Sequence, residues 1–253
     1  MLPPDAYFPT IMWSILAAGV IASVVLVWIN APYGRHNRPG WGPTVPHLFG
    51  WVVMESPAVI VFAAVYLAGD HRADAFPLVC LALWQIHYLN RTVVFPFRVK
   101  SKGKRMPVLI MVISTMCNVC NAYINARWVS HLGEYGPQWM AGAPFLIGIG
   151  LFIVGAAINH HSDHILFNLR KPGETGYVIP RGGLYRYVSA PNYLGELVEW
   201  LGWAILTWST AGLVFALFTA CNLVPRAVAH HRWYIETFPD YPTERAAIIP
   251  RIL

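Results

Sequence analysis

The sequence predicts an all-α, polytopic membrane protein of seven transmembrane helices. Three observations carry that expectation. The 253 residues are 56% hydrophobic and only 12% charged, whereas a soluble domain carries about a quarter charged residues; mean hydropathy is +0.46. The apolar residues gather into seven runs, each near the ~20 residues that cross a bilayer. Fifteen of the 18 Lys and Arg fall on one side of that ladder, so the positive-inside rule sets the N-terminus outside and the C-terminus in the cytosol.

The runs justify themselves in order. The first, about 7–30, follows only Met-Leu-Pro-Pro-Asp. That opening lacks the basic n-region of a cleavable signal peptide, so the run counts as a span. The second, about 47–69, holds Glu55 and Pro57. A lone mid-membrane carboxyl needs a partner or a proton, and Pro57 loosens the helix beside it. Glu55 therefore either bonds a neighbouring helix or does chemistry. The third, about 74–97, contains His-Tyr-Leu-Asn-Arg, with Tyr88 and Arg91 three apart on one face. Tyr88 is an interfacial anchor or an acid. Facing Glu55 across two helices, its phenol could donate to a substrate carbonyl. The fourth, about 107–127, presents Asn118, Asn121 and Asn125 at helical spacing, either lining a substrate pocket or bonding helices together.

The fifth run, about 141–165, ends in Asn159 and Asp163 with Arg170 two turns on; the sixth, about 192–210, opens with Asn192 and Glu196. Between them lies a segment rich in charge, glycine and proline, containing Arg170, Lys171, Glu174, Arg181 and Arg186. The seventh, about 211–235, joins the sixth tightly around Ser209-Thr210-Ala211-Gly212 and carries Asn222, Arg226, His230 and Tyr234 at steps of four. Three helices thus present polar stripes at one membrane depth. That pattern suits a large ligand with phosphate, ribose and amide groups, since Arg grips phosphate bidentately.

Other classes are excluded or disfavoured. A net charge of +6 is explained by topology, so no nucleic acid is expected. Gly148, Gly150 and Gly155 have the wrong spacing for a soluble dinucleotide fingerprint. The histidine clusters at 160–164 and 230–231 have too few carboxylates nearby to favour a metal site. Cys117 and Cys120 read as helix packing rather than redox chemistry, and no disulfide framework is expected. No internal repeat or linker is visible, so residues 1–253 form one domain.

Several stretches together resemble one family. They are His161-Ser162-Asp163, Leu169-Arg170-Lys171-Pro172-Gly173-Glu174, Ile179-Pro180-Arg181-Gly182-Gly183-Leu184, Tyr187-Val188-Ser189 and Asn192-Tyr193-Leu194-Gly195-Glu196. Glu199-Trp200, Arg226-Ala227, His230-His231-Arg232-Trp233-Tyr234, Asp240-Tyr241-Pro242 and Ile249-Pro250 continue the match. The sequence resembles the steroid 5α-reductases, the membrane 3-oxo-5α-steroid 4-dehydrogenases. The resemblance implies a substrate half over about 1–127 and an NADPH-binding half over about 141–253. It implies cofactor ligands at Arg91, Asn159, Asp163, Arg170, Asn192, Glu196, Arg226, His230 and Tyr234, with Lys104 or Arg105 from the third loop. The catalytic pair falls on Glu55 and Tyr88. A monomer in the bacterial inner membrane or the endoplasmic reticulum would then reduce the Δ4 bond of a lipophilic 3-oxo steroid. Rival readings are a related sterol or enoyl reductase, an isoprenylcysteine-type methyltransferase and a transporter.

Overall fold

The computed structural model describes residues 4–32, 34–99, 103–170 and 176–253. Lys100, Lys102 and the motif residues Lys171 to Glu174 lie outside them. The long helices are α1 (Phe8–Trp28), α2 (His47–Leu67), α3 (Ala75–Leu89), α5 (Val108–Arg127), α6 (Ala143–Asn168), α7 (Pro191–Thr207) and α8 (Thr210–Thr237). Their bounds follow the seven apolar runs closely.

Among the described residues, six helical segments are long and apolar enough to cross a membrane. The exception is α7, at 17 residues. At about 1.5 Å per residue it rises roughly 26 Å, short of a ~30 Å hydrocarbon core. Two carboxylates, Glu196 and Glu199, further lower its apolar content. The expectation of a purely helical chain needs one correction. A two-stranded antiparallel sheet pairs β1 (Thr44–Pro46) with β2 (Arg105–Pro107), with Val45 opposite Met106. Pro46 and Pro107 disfavour a helical conformation in the residue before each of them, and the sheet ties the chain entering α2 to the chain entering α5.

Four local features position the site. Pro57 removes a donor within α2, and the Ser56 hydroxyl instead donates to the Val53 carbonyl at 3.2 Å. After α3 the chain makes a π-helical turn, Asn90–Val94, and then the short α4 (Phe95–Arg98). π-turns inside helices frequently mark functional sites, and Arg91 rides on this one. The Trp51 indole pins it by donating to the Arg91 carbonyl at 3.0 Å. Third, α6 and α7 pack backbone to backbone through glycines seven residues apart. A Cβ on Gly155 would meet the Glu199 amide, and one on Gly195 would meet the Asn159 amide. Gly148 and Gly202 make the same approach to Leu206 and Phe152. Small residues admit such closeness between membrane helices. Last, α7 ends on Trp208, in the left-handed conformation at φ 44°. Ser209 then caps α8 by accepting from the Gly212 amide at 2.9 Å.

The aromatic core sits between α2, α3, α7 and α8, with Phe62, Trp84, Trp200 and Trp203 buried together. At the end carrying most of the basic loops, the C-terminal tail packs on the chain leading into α7. The Ser189 and Ala190 amides donate to the Ala246 and Ala247 carbonyls at 2.9 and 3.1 Å. Arg245 donates to the Pro180 carbonyl at 3.1 Å.

Candidate active site

A cavity of about 250 Å³ opens among α1, α2, α3, α5, α7 and α8. Its wall includes Glu55, Tyr88, Arg91, Asn118, Glu196 and Arg226, against apolar Met54, Trp200 and Phe215. An apolar chamber with a few converging polar groups is the general form of a small-molecule site. Glu55 from α2 and Tyr88 from α3 both line it. The Tyr88 hydroxyl has no hydrogen-bond partner among the described residues, Glu55 included. Glu55 instead receives a long contact from Asn118, Nδ2 to Oε2 at 3.5 Å, while Asn118 also donates to the Met54 carbonyl at 2.7 Å. The Tyr88 ring is held by Trp84 and Trp200 at centroid distances of 4.9 and 5.8 Å. Asn121 does not line this cavity. It is buried, with both amide atoms unpartnered among the described residues, and its carbonyl accepts from Asn125 at 3.0 Å.

Two of these wall residues, Arg91 and Glu196, belong to a second, polar layer that extends away from the cavity. Arg91 stands 3.7 Å from Glu196 and 3.9 Å from Asp163, stacked over Phe95 at 4.3 Å. Asn192 donates to Asp163 at 3.1 Å. Asn159 donates to the Asn192 carbonyl at 3.0 Å and to Glu196 at 3.3 Å. Five of the sequence-predicted cofactor residues therefore form one network, brought into reach by the α6–α7 glycine contacts.

The remaining candidates occupy a third layer toward the basic loops. Arg226 lies over the Tyr193 ring at 5.2 Å and donates to Asn222 at 3.3 Å. His230 contacts the Tyr193 hydroxyl at 3.2 Å and His36 at 3.1 Å. Tyr234 lies under the Arg35 guanidinium at 4.5 Å. Arg170 donates to the Gly176 carbonyl at 3.2 Å. Lys104 reaches the Tyr177 hydroxyl at 3.4 Å, whereas Arg105 is spent on Thr44, bonding its side chain at 2.7 Å and its carbonyl at 2.6 Å.

Sequence reasoning missed four residues here. Arg35 stands in the sequence as one more loop charge, yet it is enclosed by the rings of Tyr177, Trp233 and Tyr234. Its Nη1 and the Tyr185 hydroxyl are buried without partners among the described residues. Burial pushes the Tyr185 phenol well above the ordinary tyrosine range, with Asp163, Tyr234 and Tyr193 adding to the effect. His87 and Glu199 form a buried pair at 2.8 Å beside Tyr88. The signal for Glu199 was present, because it follows Glu196 by three and shares its helix face.

These layers fit an anionic dinucleotide. Arg, Lys, His and Tyr donors, two of them orphaned and buried, match phosphate and ribose oxygens, while the Asn and carboxylate network offers acceptors for hydroxyl and amide groups. Apolar helices of membrane length around a chamber with Glu55 and Tyr88 on its wall and a polar network beside it have the form of a membrane-embedded small-molecule site. The family model described as 3-oxo-5-alpha-steroid 4-dehydrogenase matches residues 104–253. A steroid 5-alpha-reductase of Arabidopsis thaliana is 43% identical over 251 residues, covering 96% of each chain. The 3-oxo-5-alpha-steroid 4-dehydrogenase 1 of Homo sapiens is 44% identical over 223 residues, covering 87% of this chain and 86% of its own. A steroid 5-alpha-reductase of Solanum lycopersicum is 39% identical, covering 96% of each. The chain belongs to the 3-oxo-5-alpha-steroid 4-dehydrogenase family, and it is an integral membrane oxidoreductase.

Proposed function

We propose that this protein is a steroid 5α-reductase that reduces the Δ4 double bond of a lipophilic 3-oxo steroid with NADPH. The observation that carries the reading is one cavity wall on which Glu55, Tyr88 and Arg91 converge from α2, α3 and the π-turn that follows it. Arg91, Asn159, Asp163, Asn192 and Glu196 would hold the reducing end of the cofactor. Arg170, Arg226, His230, Tyr234 and Lys104 would hold its phosphates and the groups beyond; Lys104 is preferred over Arg105, which is committed to the β1–β2 sheet. When bound, NADPH supplies a hydride.

The chain's own contribution lies at the ketone. Addition at C5 drives negative charge onto the 3-oxygen, and a donor already aimed there stabilises that charge most. Tyr88 is that donor, with Glu55 polarising it across the cavity. The apolar wall of Met54, Trp200 and Phe215 excludes water and accommodates the steroid skeleton. A substrate that partitions into lipid reaches such a chamber without leaving the membrane. We take α7 as the seventh span despite its length, with the N-terminus outside and the C-terminus cytosolic. The host membrane is the inner membrane in a bacterium or the endoplasmic reticulum in a eukaryote, and the working unit is a monomer.

The test is direct. Purified protein given NADPH and a 3-oxo-Δ4 steroid should lose nicotinamide absorbance and form the 5α-reduced ketone. No oxidation above background across a panel of such steroids would overturn the reading.

A further inference from the structure

One buried pair, of which His87 lines the cavity and Glu199 stands behind it, has no task in this scheme. His87 Nδ1 and Glu199 Oε1 are 2.8 Å apart, joining α3 to α7. Their side chains are only 6% and 1% exposed. Glu199 Oε2 has no partner among the described residues. A buried carboxylate beside an imidazole costs desolvation that an apolar contact between the same helices would avoid. His87 also lines the cavity. Its ring meets Tyr88 edge-on at 5.0 Å and Trp200 at 4.6 Å. With Nδ1 committed to Glu199, Nε2 is the ring nitrogen that remains, and no protein group among the described residues bonds it.

We propose that His87, oriented by Glu199, delivers the proton that completes the reduction at C4. The inference rests on the reductase reading above. Once hydride has been added at C5, the substrate is an enolate with a nucleophilic C4. The C4–H bond forms as the Nε2–H bond of the imidazolium breaks. The enolate collapses to the ketone, and the N–H electron pair stays on Nε2. The ring is left neutral, with Nδ1–H donating to Glu199. Water then restores the proton. A carboxylate behind an imidazole holds its tautomer and stabilises the imidazolium in just this way.

The other titratable groups on the wall have other work. Tyr88 and Glu55 face the ketone oxygen, Glu196 pairs with Arg91, and Arg226 bonds Asn222. Cys117 also lines the cavity, from α5. The 3-oxygen and C4 are two bonds apart in the substrate. Their donors should therefore be neighbours, as the adjacent rings of Tyr88 and His87 are.

The test uses the full chain in D2O, comparing the parent with His87→Gln and Glu199→Gln. Glu199→Gln keeps a hydrogen bond to His87 and so spares the helix tie. Loss of a general acid costs about 100-fold or more in kcat. In His87→Gln the single-turnover consumption of NADPH should stay within about threefold of the parent while steady-state kcat falls by about that amount. Deuterium at C4 of the product should lose its preference for one face. Glu199→Gln should show the same split in milder form. Parental kcat and one-faced labelling in either variant would overturn the proposal. So would hydride transfer and kcat falling together with labelling unchanged, which is the signature of a structural tie. A parent that turns over beside an unaffected His87→Gln fails only this inference; a parent that never consumes NADPH fails the reductase reading and takes this inference with it.

Discussion

The Tyr88 phenol, with no hydrogen-bond partner among the described residues and its ring beside Trp84 and Trp200, is the donor we propose for the substrate ketone. Tyr88→Phe keeps the ring and its packing and removes only the hydroxyl. If the bond to the ketone strengthens as enolate charge grows, the loss appears in kcat, at about 100- to 1000-fold for one such donor. NADPH binding should be unchanged in a fluorescence titration, because the polar layers that would hold it lie elsewhere. His36 makes a second residue-level prediction. It stacks on His230 with ring centroids 5.1 Å apart. Burial, then the charges of Arg35, Arg226 and Arg38, bring its pKa down to about 4. The unfolded chain protonates this side chain near 6.5, so between those values it binds more protons than the folded one. Stability contributed by neutral His36 is complete above pH 6.5 and is lost as pH falls toward about 4. His36→Gln should flatten that part of a melting-temperature profile measured in detergent. An unchanged slope would contradict the described burial.

At the scale of elements, the α6–α7 contact governs the polar network. Glycines at 148 and 155 meet glycines at 195 and 202, and each leaves room only for backbone. Gly195→Ala would push a methyl against the Asn159 amide and the Gly155 carbonyl. Overpacking of this kind costs about 1–3 kcal/mol. Asn159 and Glu196, now in hydrogen-bond contact, should separate, so NADPH affinity should fall together with melting temperature. Gly150→Ala on the same helix, where nothing lies within 4 Å, is the control and should leave both near the parental values. These glycines were visible in the sequence, but their meaning was not. Gly148, Gly150 and Gly155 do not fit a nucleotide fingerprint, and a spacing of seven has significance only where a partner helix with the same spacing lies against it. The β1–β2 sheet is illegible in the sequence for a related reason. Its strands are three residues each and 58 residues separate their ends, so no local alternation of apolar and polar residues announces them.

For the whole molecule, the asymmetry of loop charge predicts the orientation. Along the sequence, fifteen of the 18 basic residues fall in loops on one side of the expected ladder, against Arg72 and Arg127 on the other. A reporter active only outside the cytosol, fused to the C-terminus, should stay silent, and the same reporter at the N-terminus should be active. The reverse result would invert the topology and place the cofactor layers on the side without cytosolic nucleotide. Arg127 fits this arrangement, because at the opposite end it is tied to Asp5 by two contacts of 2.7 and 3.1 Å.

The sequence by itself determined the class of this protein and the approximate bounds of its long helices. Hydropathy and charge act through the bilayer, a uniform solvent that every residue meets individually, so their effects sum along the chain. It also marked Glu55, Tyr88, Arg91 and the stripes on α6, α7 and α8, because an ionisable group in hydrocarbon is conspicuous wherever it stands. Only the tertiary structure decided which of these groups meet. It joined Arg91 to Asp163 and Glu196 across three helices, caged Arg35 in rings from two distant segments, and paired His87 with Glu199 112 residues away. Those partnerships depend on helix rotation and close approach, which arise from glycines, prolines and a π-turn acting between segments rather than along one.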